Sequence, residues 1–176
     1  MQATRTHALV LGGIRSGKSA LAEQRATASG ASVTYIATAT AGDGEMSERI
    51  RRHRQRRPAD WGLVECPLAL GAELTAQAQA GAPCLLIDCM SLWLSNLLHA
   101  GDEVFQRERA EFVDAVAAYP GSLVIVSNEV GLGTIGMDPL TRRFCDELGW
   151  LNQALAASCD QVVLTVAGLP MVLKGE

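Results

Sequence analysis

The residues Gly12 to Ser19 read GGIRSGKS and fit the phosphate-loop pattern GxxxxGK[ST], which constrains the fold more than any other segment. Such a loop works only between a buried strand and the first turn of a helix, where backbone N–H groups and the helix dipole converge on an anion. Both flanks are present: the apolar run HALVL (His7 to Leu11) precedes the loop, and a helical pattern from Ser19 to Ala28 follows it. Gly12, Gly13 and Gly17 allow the backbone to turn its N–H groups inward, and the Ser19 hydroxyl suits a Mg²⁺ ion at the helix start. Of the 15 basic residues only Lys18 and Lys174 are lysines. Lysine thus stands where a compact, rotatable ammonium must reach between phosphate oxygens. Arg15 is either a second cation for the phosphates or a surface arginine.

Further short apolar runs occur at Val33 to Thr38, Gly62 to Cys66, Cys84 to Asp88, Ser122 to Ser127 and Gln161 to Val166. They read as strands buried on both faces. Helical patterns lie between them at Met46 to Arg57, Leu68 to Ala80, Leu92 to His99, Glu103 to Tyr119 and Pro139 to Ser158. The last has Asp138 placed as N-cap and Pro139 as first helical residue. Alternation of buried strands with helices predicts an α/β chain with a mainly parallel sheet and helices on both faces. At 176 residues, 48% of them hydrophobic, the chain supports one well-buried core and hence one domain, residues 1–176.

The five cysteines form no CxxC pair, so neither a disulfide framework nor a zinc site is expected. No apolar run is long enough to span a membrane and the N-terminus has no signal-peptide core, so the expected location is cytoplasmic. Residues 1–57 carry ten Lys/Arg against four Asp/Glu, whereas residues 58–176 carry five against fifteen. Positive charge is therefore gathered beside the phosphate loop.

A phosphate loop needs a carboxylate at the end of another strand for its metal or water, and Asp88 closes the run CLLID. The alternative is an Asp that only caps the next helix near Ser91. From Glu45 to Pro58 the chain reads EMSERIRRHRQRRP, with six arginines between Arg49 and Arg57 around His53. At about 100° per residue, Met46, Ile50, His53 and Arg57 share one helix face. Three explanations compete: a solvated surface helix, a nucleic-acid contact, and a phosphate-handling helix in which His53 takes part in chemistry. Against nucleic acid stand the acidic remainder of the chain and the lack of interleaved aromatic residues, so no nucleic-acid partner is expected. For His53, neighbouring arginines disfavour protonation and hold phosphate oxygens, leaving a neutral imidazole suited to attack phosphorus. His7, just before a strand, and His99, near a helix end, read as structural.

In their order and spacing these pieces resemble the bifunctional adenosylcobinamide kinase and adenosylcobinamide-phosphate guanylyltransferase family of cobalamin biosynthesis. The likeness is carried by LVLGGIRSGKS, YIATA (Tyr35 to Ala39), EMSERIRRHRQRRP, Trp61 with Glu65, LLIDC, SNEVG (Ser127 to Gly131) and RRFCDELGWLNQALAASCDQVVLTVAG. It spans essentially the whole chain and implies an α/β, P-loop NTPase-like (RecA-like) fold. It also implies that GTP or ATP phosphates lie on Gly12, Gly13, Ile14, Arg15, Ser16, Gly17, Lys18 and Ser19. Ala37, Thr38, Ala39, Arg54, Gln55, Arg56, Arg57, Glu65 and Asp88 match positions lining the nucleotide site of relatives, with Ser19 and Asp88 as metal residues and Lys18 as catalytic. His53 aligns with the histidine that carries GMP covalently. Adenosylcobinamide and adenosylcobinamide phosphate are the implied substrates, and a homotrimer the implied assembly. Relatives usually carry alanine where Ile14 stands, many carry glutamate where Asp88 stands, and GLGTIGMDP (Gly131 to Pro139) departs from their wording. Two other classes fit the loop alone: a simple small-metabolite kinase without a covalent intermediate, and a nucleotide-dependent nucleic-acid-binding ATPase.

Overall fold

Strand β1 (His7–Gly12) is buried at every residue, as expected of a run that must sit at the centre of a sheet. The structure is a computed structural model that describes residues 5–39 and 58–175. The helix expected over Met46–Arg57, with His53, lies outside the described residues.

After β1 come α1 (Lys18–Ala28), β2 (Val33–Ala37), β3 (Gly62–Glu65), α2 (Leu70–Gln79), β4 (Cys84–Asp88) and α3 (Met90–Ala100). The chain continues through α4 (Asp102–Ala118), β5 (Leu123–Asn128), α5 (Pro139–Ser158), β6 (Gln161–Val166) and β7 (Leu169–Lys174). The strands form one 7-stranded sheet in the order β3-β2-β4-β5-β1-β6-β7. All pairings are parallel except β6 with β7.

Alternate residues of the central strands feed two cores. Leu9, Leu11, Ile36, Leu85, Ile87, Leu123 and Ile125 point to one side, where they pack with Leu70, Trp93, Phe112, Leu151 and other residues of α2 to α5. Val10, Tyr35, Cys84, Leu86, Val124 and Val126 point to the other, against Ala22 and Ala26 of α1. Helices therefore cover both faces, unevenly. Trp93 anchors the larger core, its ring 4.8 Å from that of Phe112 and its Nε1–H donating to the Leu68 carbonyl at 2.7 Å.

Two features depart from the sequence expectation. Strand β3 is mostly exposed rather than buried on both faces, because among the described residues it is the sheet's edge, with β2 as its neighbour. Strand β7 was not foreseen, because Pro170 sits inside its run and the turn before it, Ala167-Gly168, lacks the usual Asn or Asp. Both turn residues take positive φ, 52° and 80°. Pro170 is tolerated because β7 is the opposite edge. By contrast, α5 starts as foreseen: the Asp138 carboxylate accepts from the Thr141 N–H at 2.8 Å, which also holds its pKa below the usual value, and Pro139 follows.

His7 has the structural role expected of it. It is 1% exposed, and its Nε2 lies 3.2 Å from Arg5 Nε and 3.1 Å from the Gly121 carbonyl oxygen. Burial, then the Arg5 charge, lowers its pKa below 6.5, while the Gly121 carbonyl, the Asp160 carboxylate and a backbone contact with Tyr119 oppose the shift. Below pH 6.5 the unfolded chain binds the proton first, so stability falls with pH until the folded ring also titrates. The slope lost in His7→Gln should be at most about 1.4 kcal/mol per pH unit, measured by denaturant titrations between pH 7 and 5. An identical pH profile in the variant would remove His7 from this role.

The five cysteines are free thiols. Burial pushes Cys66 up to about 11 and Cys159 up to about 12, which leaves both protonated at neutral pH. No helix among the described residues is long and apolar enough to cross a membrane.

Candidate nucleotide site

The loop between β1 and α1 sits at the carboxyl edge of the sheet, where ligands of open α/β sheets gather. Gly17, the N-cap of α1, has φ 94°, and a Cβ added there would lie 3.1 Å from the Gly168 Cα. At Gly12 a Cβ would fall 2.3 Å from Ser16 Oγ and 2.8 Å from the Thr165 carbonyl oxygen. Each position therefore admits only glycine without a shift. Gly13 meets no such neighbour. The turn that opens β7 supports the loop, with the Gly168 N–H donating to the Ser16 carbonyl at 2.8 Å.

Lys18 curls back over the loop and donates from Nζ to the Gly13 carbonyl at 2.9 Å, which holds its ammonium across the concavity. Ser19, half-buried, is the second residue of α1. The Ile14 side chain is 78% exposed, so the isoleucine leaves the loop interior untouched. Arg15 is exposed and takes φ 54°. The Ser16 Oγ is buried with no partner among the described residues.

Register delivers the remaining groups to the same edge. Ala37 pairs with Glu65 on one side and with Asp88 on the other. Asp88 pairs with Val126, while Asn128 and Thr165 flank Gly12. Asp88 does not cap α3, whose N-cap is Cys89 without a side-chain bond; its Oδ2 instead accepts from the Tyr35 hydroxyl at 3.3 Å. Burial, then the Asp88 carboxylate, raises the Cys89 thiol pKa, opposed by the Ser91 hydroxyl, the Leu92 backbone and, least, the Lys18 ammonium.

Thr38 is fully buried. Its Oγ1 donates to the Cys89 carbonyl at 2.8 Å and accepts from the Cys89 N–H at 2.9 Å, tying the exits of β2 and β4 together. Ala39, at the end of the described stretch, is partly buried. His53, Arg54, Gln55, Arg56 and Arg57 lie outside the described residues.

Sequence reasoning missed the amides that hold this edge. Asn96 Nδ2 donates to the Thr38 and Pro67 carbonyls at 2.9 and 3.0 Å. Asn152 accepts from Ser127 Oγ at 2.6 Å and donates to the Asn128 carbonyl at 3.1 Å. Leaving such a buried group unpaired costs about 1–3 kcal/mol, so these contacts fix where β2 and β5 leave the sheet. The only signal for them in the sequence is an amide inside an otherwise apolar helix stripe.

The edge can hold a polyphosphate on backbone N–H groups and Lys18. Among its oxygen donors, the Ser19 hydroxyl and the Asp88 carboxylate suit Mg²⁺, which binds through few protein ligands plus phosphate. Among the described residues no cluster of three or more His, Cys, Asp or Glu could hold a metal by itself.

Solved structures share the fold. One is the assembled ATPase EscN of the type III secretion system of enteropathogenic E. coli, with TM-score 0.57 and 13% identity over 93% of this chain, which spans 43% of that one. Another, from Pyrococcus horikoshii, has TM-score 0.54 and 12% identity over 98% of this chain and 89% of its own. At such identity the likeness speaks for the α/β P-loop architecture. Sequence relatives are much nearer. The bifunctional adenosylcobalamin biosynthesis protein CobP of Pseudomonas aeruginosa is 55% identical over 96% of this chain and 97% of its own. The bifunctional protein CobU of Salmonella typhimurium is 37% identical over 94% and 98%. The family model for cobinamide kinase / cobinamide phosphate guanyltransferase matches residues 8–173. With that match running from β1 into β7, the chain belongs to the cobinamide kinase / cobinamide phosphate guanyltransferase family.

Proposed function

We propose that this chain, as one domain, phosphorylates adenosylcobinamide and then transfers GMP to the product. The observation that carries the reading is the glycine-restricted loop, with Lys18 drawn across it and Asp88 delivered by register to the same sheet edge. In the first reaction the aminopropanol hydroxyl oxygen of adenosylcobinamide bonds to the γ-phosphorus of GTP or ATP. The bond from that phosphorus to the β–γ bridging oxygen breaks, the nucleoside diphosphate leaves, and the hydroxyl proton passes to water. Lys18 and the loop N–H groups of Gly12 to Ser19 hold the phosphates in line and offset charge on the transferred group. Ser19 and Asp88 would hold Mg²⁺, which supplies further neutralisation of phosphate charge when bound.

In the second reaction the neutral imidazole of His53 attacks the α-phosphorus of GTP, expelling pyrophosphate and forming a phosphoramidate to GMP. The phosphate oxygen of adenosylcobinamide phosphate then takes GMP from the imidazole, yielding adenosylcobinamide-GDP and free His53. Arg54, Arg56 and Arg57 offset the charge on the transferred phosphate, and Gln55, Ala37, Thr38, Ala39 and Glu65 complete the nucleotide's surroundings. We place the enzyme in the cytoplasm, as its free thiols suggest. A homo-oligomer, trimeric as the resemblance implies, is supported by the β7 edge, where Leu169, Met171, Val172 and Leu173 are all more than half exposed.

GTP labelled separately at the α and γ positions tests the whole scheme. Label from γ should appear on adenosylcobinamide, and label from α should stay on denatured protein in an acid-sensitive linkage. Transfer of γ alone would reduce the protein to a simple kinase; steeply salt-dependent oligonucleotide binding without either transfer would favour a nucleic-acid-dependent ATPase.

A further inference from the structure

Helix α3 carries four polar side chains between Met90 and His99: Ser91, Ser95, Asn96 and His99. Asn96 is committed to the Thr38 and Pro67 carbonyls. The other three recur at i, i+4 and i+8, one stripe of the helix, and all three line a cavity of about 410 Å³ between α3 and α5. The far face of α3, with Trp93, Leu94 and Leu97, is buried in the core. The facing wall comes from the first turns of α5, through Leu140, Thr141 and Phe144.

We propose that this groove holds the hydroxyl-bearing arm of the alcohol phosphorylated at the loop, an inference that rests on the kinase reaction proposed above. Position is the first reason. Asn128 lines the groove and pairs with Gly12 of the loop, and the next residue, Glu129, donates its N–H to the Gly12 carbonyl at 3.2 Å. Ser91 lies three residues beyond Asp88, so the inner end of the groove adjoins the site of transfer. From Ser91 to His99 the polar stripe runs ~12 Å along the helix, leading away from the loop.

Chemistry is the second reason. An apolar wall interrupted by hydroxyls at one-turn spacing matches an aliphatic arm bearing amide and hydroxyl groups. His99 Nδ1 lies 2.7 Å from the Ser95 carbonyl; in the neutral ring it donates there, which leaves Nε2 as an acceptor. A cavity of this size takes an arm and leaves a macrocycle outside, so the bulk of the acceptor rests beyond the exposed His99 end.

The test compares wild type, Ser95→Phe and Leu140→Trp in phosphorylation of adenosylcobinamide by GTP. Ser95→Phe fills the groove from α3. Leu140 is 51% exposed, so Leu140→Trp fills it from the other wall with little risk to folding. Each folded variant should raise the KM for adenosylcobinamide by about 10- to 100-fold while the KM for GTP stays within about twofold. An unchanged acceptor KM in a folded variant overturns the inference and leaves the kinase reaction standing. So does a change of oligomeric mass with unchanged acceptor kinetics, which would make the groove a contact between copies. A wild type that fails to phosphorylate adenosylcobinamide overturns the functional reading and this inference together.

Discussion

Lys18→Ala should lower kcat/KM for γ-phosphoryl transfer on the order of 10³-fold, because it removes a positive charge aimed at the transferred group. The lysine lies against the loop itself. Its Nζ is already drawn across the loop to the Gly13 carbonyl. Lys18 belongs to neither buried core cluster, so its loss should change stability by no more than about 0.5 kcal/mol. Activity assays beside thermal melts separate the two effects. A variant that keeps full kinase activity would refute the role of Lys18. Guanylylation should fall with phosphorylation if one loop holds the nucleotide for both reactions. Guanylylation that survives intact would assign the two reactions to separate nucleotide sites.

His53→Ala should abolish retention of α label and reduce guanylyl transfer on the order of 10⁴-fold, the scale for removing a covalent nucleophile. Phosphorylation of adenosylcobinamide should stay within about threefold of wild type, since that step uses the loop and needs no covalent intermediate. The contrast between the two reactions is the informative result. Equal loss of both would make His53 a binding residue for the nucleotide. Undiminished α labelling would place the covalent link on another side chain.

Much of the fold could be read directly because its signals are local. The strand, glycine loop and helix around Lys18, the buried runs that became β1, β4 and β5, and the Asp138-Pro139 start of α5 depend on residues within a few positions of one another. Asp88 was legible as the carboxylate closing an apolar run. Other parts needed partners far along the chain. Asn96 bonds a carbonyl 58 residues away, and Asn152 reaches a hydroxyl 25 residues away. Gly168 supports a loop carbonyl at Ser16, and nothing in either neighbourhood announces it. Thr38 was expected beside the nucleotide, and the structure shows its hydroxyl occupied by both backbone groups of Cys89. The exposed β3 was misread because edge and centre differ only in the number of neighbours.

The amino-acid order by itself determined membership of one enzyme family and supplied the residues on which the proposed chemistry rests: a phosphate loop with its lysine, the Ser19 hydroxyl and the Asp88 carboxylate, and an arginine-flanked histidine. Backbone sterics, charge and side-chain type act over a few residues, so they are written in a short stretch of sequence. The tertiary structure alone decided which groups meet. Strand register aligned Ala37, Glu65 and Asp88 and set Asn128 beside Gly12, the hairpin at Gly168 supported the loop, and the packing of α3 beside α5 left a groove that Asn128 lines. Register and packing follow from burying both faces of the sheet at once, a condition on the whole chain that no single segment contains.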